Sequence, residues 1–157
     1  MPYAALSPLA DFFRTLPLPV VILDLETTGG HFYADRITEL AFLHFWQGNI
    51  TAVQQLIQPN QPISDFVRDL TGISDEMLQG MPTFAEFAPQ VLPLLRGSLL
   101  IAHNSRFDYT FLRQERRRAG VPFAASALCS VQLSRKLYPQ FHKHSLDSII
   151  ERHGLPI

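Results

Sequence analysis

Few folds accept two acids at the end of a buried strand, and this chain carries them in Val20-Val21-Ile22-Leu23-Asp24-Leu25-Glu26-Thr27-Thr28-Gly29. The apolar, β-branched run reads as an interior strand with Asp24 and Glu26 near its end. Residues two apart on a strand share a face, so both carboxylates project the same way. At roughly 4 Å they would repel by about 4 kcal/mol at an effective dielectric near 20. A sequence that aligns them is expected to place a cation between them. Hard divalent ions with oxygen ligands, Mg²⁺ or Mn²⁺, suit carboxylates best.

A third acid follows a second apolar strand, in Leu99-Leu100-Ile101-Ala102-His103-Asn104-Ser105-Arg106-Phe107-Asp108-Tyr109-Thr110-Phe111-Leu112. Helical periodicity turns Phe107, Phe111 and Leu112 toward a core, with Ser105 as the expected N-cap. Asp108, about one turn further on, can then face the strand ends. A first-turn carboxylate also gains from the helix dipole, so a plain helix-start acid is the alternative reading of Asp108 alone.

Together the two segments resemble motifs of the DEDDh-type 3′–5′ exonucleases of the DEDD superfamily, the group that includes the proofreading epsilon subunit of bacterial DNA polymerase III. The first motif, D-x-E-T-T-G, stands at Asp24 to Gly29, and the second, A-H-N-x-x-F-D-x-x-F-L, at Ala102 to Leu112. D-x-E alone carries little weight, but two long matches in order and in strand context carry much more. Between them, Leu70-Thr71-Gly72-Ile73 is similar to an element that relatives place beside the terminal nucleotide. The resemblance spans residues 19–157, the expected exonuclease domain, with 1–18 as an N-terminal extension.

The resemblance implies an α/β chain of the ribonuclease H-like fold, a mixed five-stranded sheet flanked by helices. It implies hydrolysis of the terminal phosphodiester at a single-stranded DNA 3′ end by a two-metal mechanism with Mg²⁺ or Mn²⁺. Asp24, Glu26 and Asp108 are then the catalytic metal ligands. Thr27 and the backbone from Leu25 to Thr28 meet the terminal nucleotide, and Phe107 and Ile73 pack against sugar or base. Such apolar contacts tolerate any base. His103 either faces substrate or hydrogen-bonds the turn at Asn104, which itself shapes that turn. A DNA polymerase, or a fused second nuclease domain of the GIY-YIG type, is an implied partner. The superfamily's third motif, H-x-x-x-x-D, is expected beyond residue 157; His142, His144 and His153 are not expected to supply its histidine. On that reading, residues 1–157 alone are inactive or weak.

Length and composition fit one domain: 157 residues, 46% hydrophobic. A net charge of −1 gives no global nucleic-acid signal, so any footprint is local. One basic cluster is Arg113, Arg116, Arg117 and Arg118. The other, Arg135, Lys136, His142, Lys143 and His144, is the expected phosphate contact. Cys129 is alone and reads as a small buried hydrophobe, consistent with a reducing cytoplasm. No apolar run reaches membrane-span length, and no membrane partner is expected. Leu6, Leu9, Phe12 and Phe13 fit a short amphipathic helix that packs on the domain.

Further along, 36–46 and 51–58 read as a hairpin around Gln47-Gly48-Asn49. Short helices near 64–70 and 74–79 follow, then a helix over 84–96 that Pro89 and Pro93 are expected to bend or interrupt. A strand over 98–102, a helix over 106–119, a short strand at Cys129 and helices near 131–137 and 145–153 complete the set. Two other functions fit the same chain: a non-catalytic nucleotide-binding or protein-interaction module, and an RNA-directed exonuclease of the same superfamily.

Overall fold

Val20–Thr27 (β1) is the central strand of a five-stranded mixed sheet in the computed structural model, which describes residues 3–156. On one side β1 pairs antiparallel with Ile37–Trp46 (β2), which pairs antiparallel with Asn49–Leu56 (β3). On the other side it pairs parallel with Leu99–Ala102 (β4), and β4 pairs parallel with Ser126–Cys129 (β5), giving the order β3-β2-β1-β4-β5.

The antiparallel half closes through a two-residue turn. Gln47 and Gly48 have φ of 51° and 81°, the positive values of a type I′ turn, whose twist matches that of the flanking strands. The turn uses only these two residues, so β3 begins at Asn49, two residues before the expected start. The Arg14 guanidinium occupies the space a Cβ at Gly48 would take.

Parallel strands need crossovers, and the helices supply them. Asp65–Thr71 (α2), Asp75–Leu78 (α3) and Phe84–Leu95 (α4) lie between β3 and β4, and Ser105–Ala119 (α5) lies between β4 and β5. Ser130–Leu137 (α6) and Leu146–His153 (α7) follow. Ser64, Ser74, Thr83 and Ser145 cap α2, α3, α4 and α7 by accepting a backbone N–H three residues on, each cap contributing about 1 kcal/mol. α4 runs through Pro89 and Pro93 without interruption. Ala85, Pro89 and Pro93 recur every four residues on its exposed side, so the carbonyls that the prolines leave unbonded face water.

Alternation along β1 divides the sheet into two faces. Val21, Leu23 and Leu25 join Leu40, Phe42 and Leu100 against Val91, Leu92 and Leu95 of α4 and Phe111 and Leu112 of α5, forming the main core. Each such buried side chain stabilises the fold by roughly 1.5–3 kcal/mol. On the other face Val20 and Phe45 pack with Ala10 of Ser7–Phe13 (α1), and Ile22, Leu43 and Ile101 border that cluster. α1 does pack on the domain, through Ala10 and Phe13, whose ring centroid is 5.1 Å from that of Phe45. Phe12, expected on the apolar side, is 63% exposed. Among the described residues no helix is long and apolar enough to cross a membrane.

Candidate active site

The pairing of β1 with β4 stops at Ile22↔Ile101, while β1 continues to Thr27. The β4-side edge of β1 is therefore open beyond Ile22, and the first turn of α5 fills it. Asn104 makes the entry possible: its φ of 73° and ψ of 59° turn the chain from strand to helix within a few residues, a left-handed conformation that asparagine tolerates. Asn104 thus shapes the turn and takes the cap position. Ser105, the expected N-cap, is instead the first helical residue and is buried.

The buried stripe of α5 is Ser105, Asp108, Phe111, Leu112 and Glu115, the spacing of a core-facing helix with two acids built into it. Asp108 is 5% exposed. Burial, and then the charge of Asp24, push its carboxyl up to about 7; Glu26 adds to the rise, and the backbone N–H groups of Asp108 and Leu25 oppose it. Glu26 is also raised, by burial first and then by Asp24 and by Glu39, which lies directly across the β1–β2 ladder. Acids from two distant segments thus repel one another at the carboxyl ends of two adjacent parallel strands, the place where open α/β sheets bind ligands. The donors suit a hard divalent cation in chemistry and in their unmet demand for positive charge. Among the described residues no three His, Cys, Asp or Glu side chains are already close enough together to hold an ion, so such an ion would have to draw them in.

Beyond Glu26 the ladder slips: Thr27 pairs with Ile37, and Thr38 is left unopposed. Such bulges re-aim side chains beside sites. The Thr27 hydroxyl donates to the Gly29 carbonyl at 2.6 Å. The Thr28 hydroxyl lies 2.9 Å from both Asp35 Oδ1 and Gln61 Oε1, and accepts from the Arg36 N–H at 3.0 Å. The Asp35 carboxylate packs so closely on Gly29 that a Cβ there would lie 2.5 Å from Oδ2. Leu25 buries its side chain and turns its N–H to Asp108.

Phe107 packs with Phe111 at 4.7 Å and with Phe32 at 6.0 Å between ring centroids. Ile73 is 4% exposed in a small core with Ile63, Val67 and Leu78, so it has almost no surface for a sugar or base. The exposed apolar residue of Leu70-Thr71-Gly72-Ile73 is Leu70, at 73%. His103 does not bond the Asn104 turn; its Nδ1 lies 2.9 Å from Ser130 Oγ, which donates to the Ala102 carbonyl. Nδ1 is then the protonated nitrogen, and Nε2 is a buried acceptor without a partner among the described residues. Ile22, Asp24, Ala41, Leu43, Ile101 and His103 line an open groove of about 720 Å³ on the sheet face opposite α4 and α5.

Other expectations change in the fold. Of the second basic cluster, Arg135, Lys136, His142 and Lys143 are exposed, but His144 is buried. Both its ring nitrogens are taken, Nδ1 by Ser134 Oγ at 2.7 Å and Nε2 by the Phe141 carbonyl at 2.9 Å. It is a structural histidine and no phosphate contact. His142 does have Asp147 at H-x-x-x-x-D spacing. Both are exposed, and His142 lines a hollow with Lys143, Glu151 and Arg152. Cys129 is half-buried. Burial pushes its thiol up, and the backbone N–H groups of Gln132, Ser105, Asn104 and Val131 more than offset this. Glu39 and Glu115 escaped the motifs. Glu115 had a signal, since a charge one heptad after Asp108 sits on the core stripe and requires partners.

The family model described as "Exonuclease" matches residues 21–157. The DNA polymerase III PolC-type of Streptococcus suis is 32% identical over 139 residues, covering 87% of this chain and 10% of that protein. The 3′-5′ exonuclease DinG of Bacillus subtilis is 35% identical over 143 residues, covering 87% of this chain and 15% of that protein. The chain therefore spans only a small part of the length of these relatives. Exonuclease X, solved in complex with 5′ overhanging duplex DNA, superposes with a TM-score of 0.66 at 26% identity over 88% of this chain and 75% of that one. The sheet and its helices are the ribonuclease H-like arrangement of these nucleases, and this chain belongs to the exonuclease family.

Proposed function

We propose that this chain is the nuclease domain of a metal-dependent 3′–5′ exonuclease that hydrolyses the terminal phosphodiester of DNA. The carrying observation is the convergence of three acids from two segments, Asp24 and Glu26 on β1 and the buried Asp108 of α5, whose carboxylate accepts from the Leu25 N–H between them. The similarity to a 3′-5′ exonuclease over 87% of this chain supports the direction, and the similarity to a DNA polymerase III supports DNA as substrate and a polymerase as partner. A cytoplasmic role in replication or repair is part of the same reading, which the likeness to a DNA polymerase III supports for replication.

Asp24, Glu26 and Asp108 would hold two divalent cations, Mg²⁺ or Mn²⁺. When bound, the cations supply positive charge for the scissile phosphate and acidify water. The protein's own part is positional. The Leu25 to Thr28 backbone and Thr27 take the terminal nucleotide, with Phe107 as an apolar wall and Ile73 supporting its segment from beneath. Thr28 anchors the following loop. His103 borders the groove beside Asp24 on the substrate side. Arg135, Lys136, His142 and Lys143 contact phosphate further along the strand.

The test is degradation of 5′-labelled single-stranded DNA, with an RNA control, by the protein as its gene encodes it. A ladder receding from the 3′ end that requires Mg²⁺ or Mn²⁺ and disappears in Asp24→Ala is expected. A folded protein that leaves the DNA intact would turn the reading to a nucleotide-binding module, and a ladder on RNA alone to an RNA-directed enzyme.

A further inference from the structure

Glu115 is 1% exposed, and its partners all belong to, or reach, the segment that follows the first acidic motif. Its Oε1 accepts from Arg36 Nε at 2.5 Å and from Arg118 Nη1 at 2.9 Å, and its Oε2 accepts from Arg36 Nη2 at 3.0 Å. Arg118 passes the link on, its Nη2 donating to the Tyr33 carbonyl at 2.8 Å. The Arg36 backbone is tied twice to Thr28: its carbonyl accepts from the Thr28 N–H at 2.8 Å, and its N–H donates to the Thr28 hydroxyl. Within the loop, the His31 N–H donates to Asp35 Oδ2 at 2.8 Å, and from the segment between β3 and α2 Gln61 Nε2 donates to the Ala34 carbonyl at 2.5 Å. Phe32 docks on the same helix, its ring centroid 6.0 Å from that of Phe107 and 5.4 Å from that of Phe111.

The loop over residues 29–36 is thus fastened to α5 by an apolar clasp beside Asp108 and an ionic clasp at Glu115. Seven residues, about two helical turns, separate the two acids along one face. The Glu115 carboxylate is removed from water while the Arg36 and Arg118 side chains keep 25% and 30% of their exposure; burying a charge is costly, and replacing such a group with apolar side chains is often neutral or better for stability. Stability alone therefore gives little reason for it. What a bidentate arginine on a buried carboxylate supplies is fixed geometry. Here it fixes the end of β1, with Thr27, Thr28 and Glu26, against the helix that carries Asp108.

We propose that Glu115 is a positioning residue for the nuclease site: through Arg36 and Arg118 it holds the loop over residues 29–36, and with it the Asp24–Thr28 segment, in register with Asp108. The proposal rests on the exonuclease reading for its functional half only. The first measurement is amide hydrogen exchange in Glu115→Gln without metal or substrate. Exchange at residues 31–36 is expected to rise on the order of tenfold or more while β1 and the body of α5 stay protected. Unchanged exchange in a folded variant overturns the proposal whether or not the protein is a nuclease.

The second measurement is turnover of 5′-labelled DNA across a Mg²⁺ titration. Glu115→Gln is expected to raise the half-saturating Mg²⁺ and the KM for DNA by roughly tenfold, with a smaller loss of kcat at saturation. Equal midpoints and KM values overturn the site role even where the loop loosens. Loss of the Asp24-dependent ladder in the parent protein refutes the exonuclease reading instead and leaves the exchange result standing. Should Glu115→Gln fail to fold, Arg36→Lys, which keeps the charge and loses the bidentate fork, gives the same two readouts.

Discussion

Asp108→Asn should stabilise the metal-free protein as pH rises. In the folded chain burial and the neighbouring acids hold the Asp108 carboxyl near 7, against an ordinary value of 3.8. Between those values the folded state keeps a proton that the unfolded state has lost, so stability falls with rising pH and the loss is complete just above 7. At about 1.36 kcal/mol per pKa unit, the interval from 3.8 to 7 corresponds to a loss on the order of 4 kcal/mol. That is a large share of the roughly 5–15 kcal/mol that holds a domain together. Asparagine keeps the shape and cannot ionise, so the variant lacks this slope. Glu26 is raised as well and leans the same way in both proteins, largely cancelling from the comparison. Urea unfolding in EDTA at pH 5, 6, 7 and 8 measures the gap, which should widen with pH and reach several kcal/mol in favour of the variant by pH 8. Added Mg²⁺ should then narrow the gap, stabilising the wild type by about 2.7 kcal/mol at a hundred times its Kd. Parallel pH profiles would show that Asp108 is solvated and ordinary, and the electrostatic argument for the site would fall with it.

Gly48→Ala should cost about 1–2 kcal/mol in unfolding measurements, because φ there is 81° and the Arg14 guanidinium fills the space of the new methyl. His144→Ala strands Ser134 Oγ and the Phe141 carbonyl and should lose about 1–3 kcal/mol in the same assay. His142→Ala, an exposed neighbour, should leave stability within about 0.5 kcal/mol. Leu112→Ala opens a cavity in the main core and should cost about 2–5 kcal/mol, read as a lower denaturation midpoint.

The parts of the site written in local pattern were legible in the sequence. Asp24 and Glu26 share a strand face because strand side chains alternate, and Phe111 and Leu112 face the core because a helix repeats every 3.6 residues. Two long motifs placed Asp108 with them. The hairpin was visible, but its two-residue turn moved the start of β3 because turn type depends on backbone angles that composition does not specify. Ile73 shows the limit of a motif: the segment matches, yet the isoleucine lies in a satellite core and the leucine three residues earlier faces solvent.

The sequence by itself determined which residues carry charge and which periodicity each segment follows, since both depend on neighbours a few positions away. Only the tertiary structure decided what those charges meet. Arg36 and Glu115 are 79 positions apart in the chain and 2.5 Å apart in the fold. Asp108 reaches β1 because β4 stops pairing at Ile22 and leaves that edge open. Its carboxyl is perturbed by burial and by charges from a distant strand, and desolvation and Coulomb repulsion are set by distance in space, not by distance along the chain.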